Sequence, residues 1–314
     1  MDQKYKINHI GLVGLGLMGQ GMATNLIASG FQVTAYSRTR TREQETIEHI
    51  SESLEKLIKE NVVQPADIEG WESRFQYVPE VEALKDCEFI LETVGESLEL
   101  KKMIYQKLES VIGAEVVIAS NTSGISISLL QEQLTRKERF AGMHWGEPAE
   151  ISRYVEISRG KETNEQTIEM TVQVGEQCGK RPTVLNYDVP GLISNRLMYA
   201  MLREAIHLVE TGVADVETVD RSFRNDMGWW ATIAGPFRWM DLTGLPIYAE
   251  VIKGLFPELN NGTEVPNLMK EKVETKTKFY DYSKDSEEEW ESVWSDFSHD
   301  IRKIVDKYEK RVKL

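Results

Sequence analysis

The chain has 314 residues, enough for two domains with substantial cores. Its 37 basic side chains against 51 acidic ones leave a net charge of −14, which argues against the phosphate contacts of a nucleic-acid binder. No apolar run is long enough to span a bilayer, MDQKYKINHI lacks the apolar core of a secretion signal, and Cys87 and Cys178 sit in no CxxC or Cys/His cluster. The expectation is a cytoplasmic protein with no metal site and neither a nucleic-acid nor a membrane partner.

Residues 7–14, INHIGLVG, read as a short apolar strand. A glycine-rich turn and a helical pattern follow to Gly30, and FQVTAYS (31–37) reads as a second strand. This β–turn–α–β order opens a doubly wound α/β fold with a mostly parallel sheet. VGLGLMGQG carries Gly14-x-Gly16-x-x-Gly19 at the strand-to-helix turn, the context that gives this otherwise weak motif meaning. Gly14 permits the turn, Gly16 lets a pyrophosphate approach the backbone, and Gly19 lets the helix pack on the strand. Leu17 and Met18, between the last two glycines, belong to the same expected cradle, where helix N–H groups and dipole meet the phosphates. The second strand ends in Ser37 and Arg38, then Thr39 and Arg40, with no carboxylate before Glu43. An acidic residue there would take a ribose 2′-hydroxyl; a small residue followed by arginine suits a 2′-phosphate. The expected cofactor is NAD(P), with NADP preferred.

Ile47, Ile50, Leu54, Leu57 and Ile58 follow at helical spacing, and a charged segment continues to about Gly70. Together they are expected to form a helical hairpin inserted over about 40–70. Strands resume at DCEFILETV (86–94), AEVVIAS (114–120), ERFAGMH (138–144), ISRYVEISRG (151–160) and KRPTVLN (180–186), with helices between. DVPG (188–191) is a turn-rich boundary. It separates a dinucleotide-binding domain, 1–187, from an all-α domain, 188–314. In the latter, His207 and Glu204 read as a packing pair rather than a metal site. The charged tail from Ser286 places Trp290, Trp294, Phe297, Ile301 and Ile304 on one helix face, a core or interface stripe.

Metal-free hydride transfer at a carbinol needs a base of near-neutral pKa, a carboxylate to hold it, and polar groups on the substrate oxygen. His144 ends a predicted strand, where open α/β sheets bind ligands. Between Met143 and Trp145 it can equally be a packed core residue. Glu156 lies in RYVEIS on the face opposite Val155 and Ile157, and a turn at GEPAE would return it beside His144. Ser123, in SNTSG, reaches the same rim. Asn195, in GLISNRL, would close it from the start of the second domain. Ser123 and Asn195 can equally be helix-capping residues.

At these residues the chain resembles the L-3-hydroxyacyl-CoA dehydrogenase family over nearly its whole length. SNTS, GMH, VEI and GLISNRL occur in the family's order and spacing, with GPFRWMDLTGL (235–245) and KTKFYDY (276–282) as weaker signs. The resemblance implies a Rossmann-type domain followed by an all-α domain, a homodimer, and hydride transfer between NAD(P) and C3 of a 3-hydroxyacyl substrate, as in fatty acid metabolism. It implies His144 as general acid/base, Glu156 as its partner, and Ser123 and Asn195 as substrate-positioning groups. Glu96 and Lys101, in GESLELK, match positions that contact the cofactor ribose, and Asn121 joins the cofactor set.

The chain departs from the family pattern in places. HFFNP reads here His144-Trp145-Gly146-Glu147-Pro148, which puts an extra carboxylate, Glu147, near the nicotinamide and the catalytic serine, where it would raise the His144 pKa or repel an anionic substrate group. The family's hairpin offers basic and hydroxyl groups to CoA; here Ser53, Lys56 and Lys59 are interleaved with Glu52, Glu55 and Glu60. The second domain is similar to the lambda-crystallin, L-gulonate 3-dehydrogenase and carnitine dehydrogenase branch, which acts on free 3-hydroxy acids. A free-acid substrate is therefore the alternative expectation, and a catalytically inactive dinucleotide-binding relative a further one. Trp145, Trp229 and Trp230 with Glu147 make either an aromatic cage for a cation or, the preferred reading, interdomain packing.

Overall fold

Strands apolar on both faces pair in parallel and are covered by helices on both sides, and the first half of the chain folds on that rule. The computed structural model describes residues 4–282 and 287–312. Its sheet contains β1 (His9–Val13), β2 (Gln32–Tyr36), β3 (Phe75–Val78), β4 (Phe89–Glu92), β5 (Val117–Ser120), β6 (Phe140–Trp145), β7 (Tyr154–Arg159) and β8 (Arg181–Val184). Their order is β3-β2-β1-β4-β5-β6-β7-β8. The first six run parallel; β7 pairs antiparallel with β6, and β8 runs parallel to β7. Every residue of β4 and β5 is buried. The strand order reverses between β1 and β4, the switch point at which open sheets present a crevice.

Helices α1 (Leu17–Ala28), α2 (Glu43–Lys59), α3 (Pro65–Ile68), α4 (Leu98–Val111), α5 (Ile127–Gln131) and α6 (Glu165–Gln177) complete this unit. One core joins α1 and α2 to Met143, Trp145, Val155 and Ile157; the other joins α4 to Ile90, Ile118 and Phe140. The hairpin expected over 40–70 has only its first arm. α2 buries Ile50, Leu54 and Leu57, but the segment that follows yields the single turn α3. Residues 64–70 bury only Ile68, so a longer second helix would have nothing to bury. β3, a short edge strand on β2, was not legible as a strand.

By its contacts the chain divides into Met1–Asn195 and Arg196–Leu314. The second unit is helical: α7 (Ser194–Glu210) runs into it, followed by α8 (Val216–Asn225), α9 (Met227–Ala231), α10 (Gly235–Thr243), α11 (Leu245–Leu255), α12 (Asn267–Thr275) and α13 (Glu287–Val312). No residue of α7 to α12 is buried. Within α13, Trp290, Trp294, Phe297 and Ile304 are exposed; Ser286 lies outside the described residues. Glu204 accepts the Asn260 N–H at 2.7 Å, and no metal-ligating cluster occurs among the described residues. Nor is any described helix long and apolar enough to cross a membrane.

Candidate active site

The glycine turn between β1 and α1 is built for a phosphate. Gly14 has φ +104°, and a Cβ on Gly19 would lie 2.2 Å from the Gly14 carbonyl oxygen. Those two glycines are demanded by the chain itself. A Cβ on Gly16 would meet nothing within 4 Å, so the open space above it is where an incoming pyrophosphate would approach. Gly16 also caps α1 without a side-chain hydrogen bond, leaving the first-turn N–H groups of Leu17, Met18 and Gly19 to a ligand. These residues fit a dinucleotide. At the end of β2, Ser37 is half-buried and Arg38 exposed, while Arg40 is held by Glu43 at 2.7 Å.

A buried charge cluster underlies the adjoining rim. Glu92 ends β4 with no exposure. It accepts Lys101 Nζ at 2.8 Å, Tyr105 Oη at 2.7 Å, Ser120 Oγ at 2.7 Å and the Val94 N–H at 2.7 Å. Lys101 Nζ also donates to the Val94 carbonyl at 3.3 Å, and its side chain is 1% exposed. Lys101, expected to contact the cofactor ribose, is here the counter-charge that a buried carboxylate needs. Lys101 reaches Glu96 at 3.7 Å. Glu96 in turn gathers the loop after β5, accepting Thr122 Oγ1 at 2.5 Å and the N–H groups of Ser123, Gly124 and Ile125 at 3.1, 2.9 and 3.3 Å. Burial alone would raise the Glu96 pKa, but the bonds from Thr122 and Gly124 and the Lys101 charge hold it below the usual carboxylate range. Asn121 acts as a strut: Nδ2 donates to Thr93 Oγ1 at 3.2 Å and Oδ1 accepts the Trp145 N–H at 2.8 Å. Those bonds tie its side chain to the strand ends.

Antiparallel pairing of β6 with β7 sets His144 opposite Glu156. Along β6, Met143 and Trp145 turn into the core and His144 turns away, so the core-histidine reading fails by strand alternation. His144 Nε2 lies 3.1 Å from Ser123 Oγ. Asn195, in the first turn of α7, donates through Nδ2 to the Ser123 carbonyl at 3.1 Å. Ser123, His144, Glu156 and Asn195 thus converge, and a phenol lies between Glu156 and His144. Tyr154 Oη lies 3.2 Å from His144 Nδ1 and donates to Glu156 Oε2 at 2.6 Å. Glu156, itself buried, also accepts Ser194 Oγ at 3.1 Å and the N–H groups of Ile193 and Ser194 at 3.2 Å. Tyr154 and Ser194 were missed in the sequence. The period of two in RYVEIS places Tyr154 on the Glu156 face and is the signal that finds it.

Burial lowers the His144 pKa, and the charges of Glu156 and Glu96 partly offset this. Glu147, exposed beyond the end of β6, is not among the groups that raise it, contrary to expectation. Trp145 is 2% exposed, with Lys180 Nζ 4.5 Å from its ring centroid, so it cannot line a cage for a ligand. In the second unit Trp230 stacks on Trp239 at 5.3 Å and Trp229 is exposed. The arrangement supplies a neutral imidazole at pH 7, a hydroxyl beside it and a carboxylate behind it, the parts needed to move a proton to and from a carbinol oxygen.

The sequence model of the 3-hydroxyacyl-CoA dehydrogenase NAD binding domain matches residues 9–189, and that of the family's C-terminal domain matches residues 191–282. The chain is 33% identical to 5-formyl-3-hydroxy-2-methylpyridine 4-carboxylate 5-dehydrogenase of Mesorhizobium japonicum, over 85% of this chain and 86% of that one. It is 30% identical to 3-hydroxybutyryl-CoA dehydrogenase of Bradyrhizobium diazoefficiens, over 88% and 96%. A crystal structure of a 5-formyl-3-hydroxy-2-methylpyridine 4-carboxylic acid 5-dehydrogenase, described as an NAD+ dependent dismutase, superposes with a TM-score of 0.87. It has 29% identity, over 95% of this chain and 97% of that one.

The Glu92–Lys101 pair carries a stability prediction. Lys101→Met strands a buried carboxylate and is expected to cost about 3–5 kcal/mol. Urea unfolding at pH 7 measures it, and an unchanged midpoint would contradict the assigned role.

Proposed function

The chain belongs to the 3-hydroxyacyl-CoA dehydrogenase family, and on that premise we propose that it interconverts a 3-hydroxy substrate and its ketone at the rim formed by Ser123, His144 and Asn195. It is an oxidoreductase with an NAD-binding domain. The observation that carries the site assignment is the 3.1 Å approach of Ser123 Oγ to His144 Nε2 beside the glycine turn's crevice. A bound nicotinamide dinucleotide supplies the hydride acceptor. His144 Nε2 takes the carbinol proton, and Ser123 Oγ holds the substrate oxygen. Asn195 fixes the Ser123 loop through its carbonyl, and Glu156 stabilises the imidazolium from behind.

Two observations favour a free acid over a CoA thioester. The resemblance assigns CoA to a helical hairpin, and here α2 is followed by one turn with Glu52 and Glu55 among its lysines. The Mesorhizobium japonicum relative is named for a pyridine carboxylate. The test follows loss of NADH or NADPH absorbance with acetoacetate and with acetoacetyl-CoA. Faster turnover of acetoacetate is expected, and turnover of the thioester alone would contradict the free-acid reading. His144→Gln is expected to lower kcat by about 10²–10⁴ with dinucleotide affinity unchanged. Because burial depresses the His144 pKa, oxidation should rise with pH to a plateau already reached near neutrality, whereas reduction, which needs imidazolium, should fall over the same range.

Half-buried Ser37 and exposed Arg38 support NADP preference, since guanidinium pairs with a 2′-phosphate and the chain has no carboxylate between Ser37 and Glu43. Ser37→Asp should shift binding from NADPH towards NADH in a fluorescence titration. Tighter binding of NADH by the unaltered protein would overturn the preference.

A homodimer is supported by the second unit. Leu197, Leu202, Phe223, Phe237, Leu242 and Ile247 are exposed on helices that bury nothing, and apolar surface of that extent marks an interface. Because the resemblance implies subunit pairing through this domain, the partner is a second copy. Sedimentation velocity should give about 72 kDa at micromolar concentration, twice the 35.9 kDa chain. A single 35.9 kDa species would contradict it.

A further inference from the structure

Among the described residues, Tyr154 is hydrogen-bonded to both His144 and Glu156. Its position fixes more than packing, because a phenol has a single proton to give. Glu156 Oε1 accepts the Ile193 and Ser194 N–H groups, and the Tyr154 and Ser194 hydroxyls lie 2.6 and 3.1 Å from Oε2. Tyr154 Oη is also hydrogen-bonded to Ser194 Oγ, so its proton goes either to Oε2 at 2.6 Å, with Ser194 donating to the phenol oxygen, or to Ser194 Oγ, which donates on to Oε2; in both arrangements it points to the carboxylate side and away from His144. The phenol oxygen then turns lone pairs towards His144 Nδ1, 3.2 Å away. A lone pair facing Nδ1 requires a hydrogen there. A neutral imidazole has one N–H, so Nε2 is left as the acceptor, and it faces Ser123 Oγ at 3.1 Å.

We propose that Tyr154 is the positioning residue through which Glu156 acts on His144, holding the neutral imidazole with its proton on Nδ1 and its Nε2 lone pair turned to the reacting oxygen. This rests on the reading of His144 as the base. The donor direction is Nδ1–H to Oη, then Oη–H to Oε2 directly or by way of the Ser194 hydroxyl. When Nε2 accepts the carbinol proton, the imidazolium keeps its Nδ1–H on the phenol oxygen, and no proton leaves Tyr154. The phenol stays protonated: burial and the bond to Glu156 both push its pKa up. The perpendicular rings of His144 and Tyr154, 5.7 Å apart and at 89°, hold the contact in one orientation. The charged groups that bear on His144 are Glu156 from β7 and Glu96 from the loop that precedes α4. Tyr154 alone bridges from one of them to the ring.

Nitrogen-resolved imidazole NMR on the full-length protein tests this without a known substrate. His144 is identified among five histidines by the signal lost in His144→Gln. Above the titration midpoint the unaltered protein should show the Nδ1–H tautomer at His144. Tyr154→Phe should lose that preference and titrate at lower pH, because the imidazolium has lost its acceptor. An Nε2–H tautomer in the unaltered protein overturns the proposal, and this result needs no variant to fold. An unchanged tautomer and midpoint in Tyr154→Phe also overturn it. Turnover of acetoacetate by His144→Gln separates the two claims. Retained turnover defeats the reading of His144 as base. Lost turnover with an unaffected Tyr154→Phe spectrum defeats the relay alone.

Discussion

Strand reversal between β6 and β7 is the constraint on which the site depends. A parallel neighbour would arrive from the far end of the sheet after a crossover. An antiparallel one returns immediately, with His144 and Glu156 as direct cross-strand partners. The register is held from the other face. Val155 and Ile157 lie in the same core as Met143 and Trp145, so a slip of one residue would drive Glu156 into that core and expose two apolar side chains. The electrostatics of the rim are thus fixed by hydrophobic alternation a few ångströms below it.

The opposite wall is held by buried charge. Glu92, Lys101 and Glu96 form a series from the interior of β4 to the loop that carries Ser123. Each carboxylate is satisfied by several donors, the condition under which buried charge is tolerable. The outcome is a serine whose backbone is pinned by Glu96 on one side and by Asn195 on the other. Ser123 Oγ and His144 Nε2 therefore meet although they come from separate crossings of the sheet, and burial lowers the pKa of the imidazole there.

Much of this was legible in the residues. The apolar runs gave every parallel strand except β3, and the glycine spacing located the phosphate cradle because it followed a strand and opened a helix. β3 escaped because FQYV is four residues long, breaks its apolar run with Gln76 and pairs only at the sheet edge. The hairpin was overextended because charged residues at helical spacing say nothing about what a helix buries. Ser123, His144, Glu156 and Asn195, singled out by their order along the chain, come together in the fold. Tyr154 was overlooked although it shares the Glu156 face, since its role depends on the register with β6. The pairing of Lys101 with Glu92 was not legible because Glu92 hides in an apolar strand. Only the fold shows that a carboxylate at the end of FILE is buried and must be neutralised.

The central claim is that hydride and proton leave one carbon and its oxygen at the Ser123–His144 edge. A crystal structure of the complex with NADP+ and 3-hydroxybutyrate tests it most directly. The account predicts the carbinol oxygen within hydrogen-bonding distance of both Ser123 Oγ and His144 Nε2, with the carbinol carbon against the nicotinamide ring and the pyrophosphate over Gly16. A substrate bound away from His144, with the cofactor seated on the glycine turn, would contradict it.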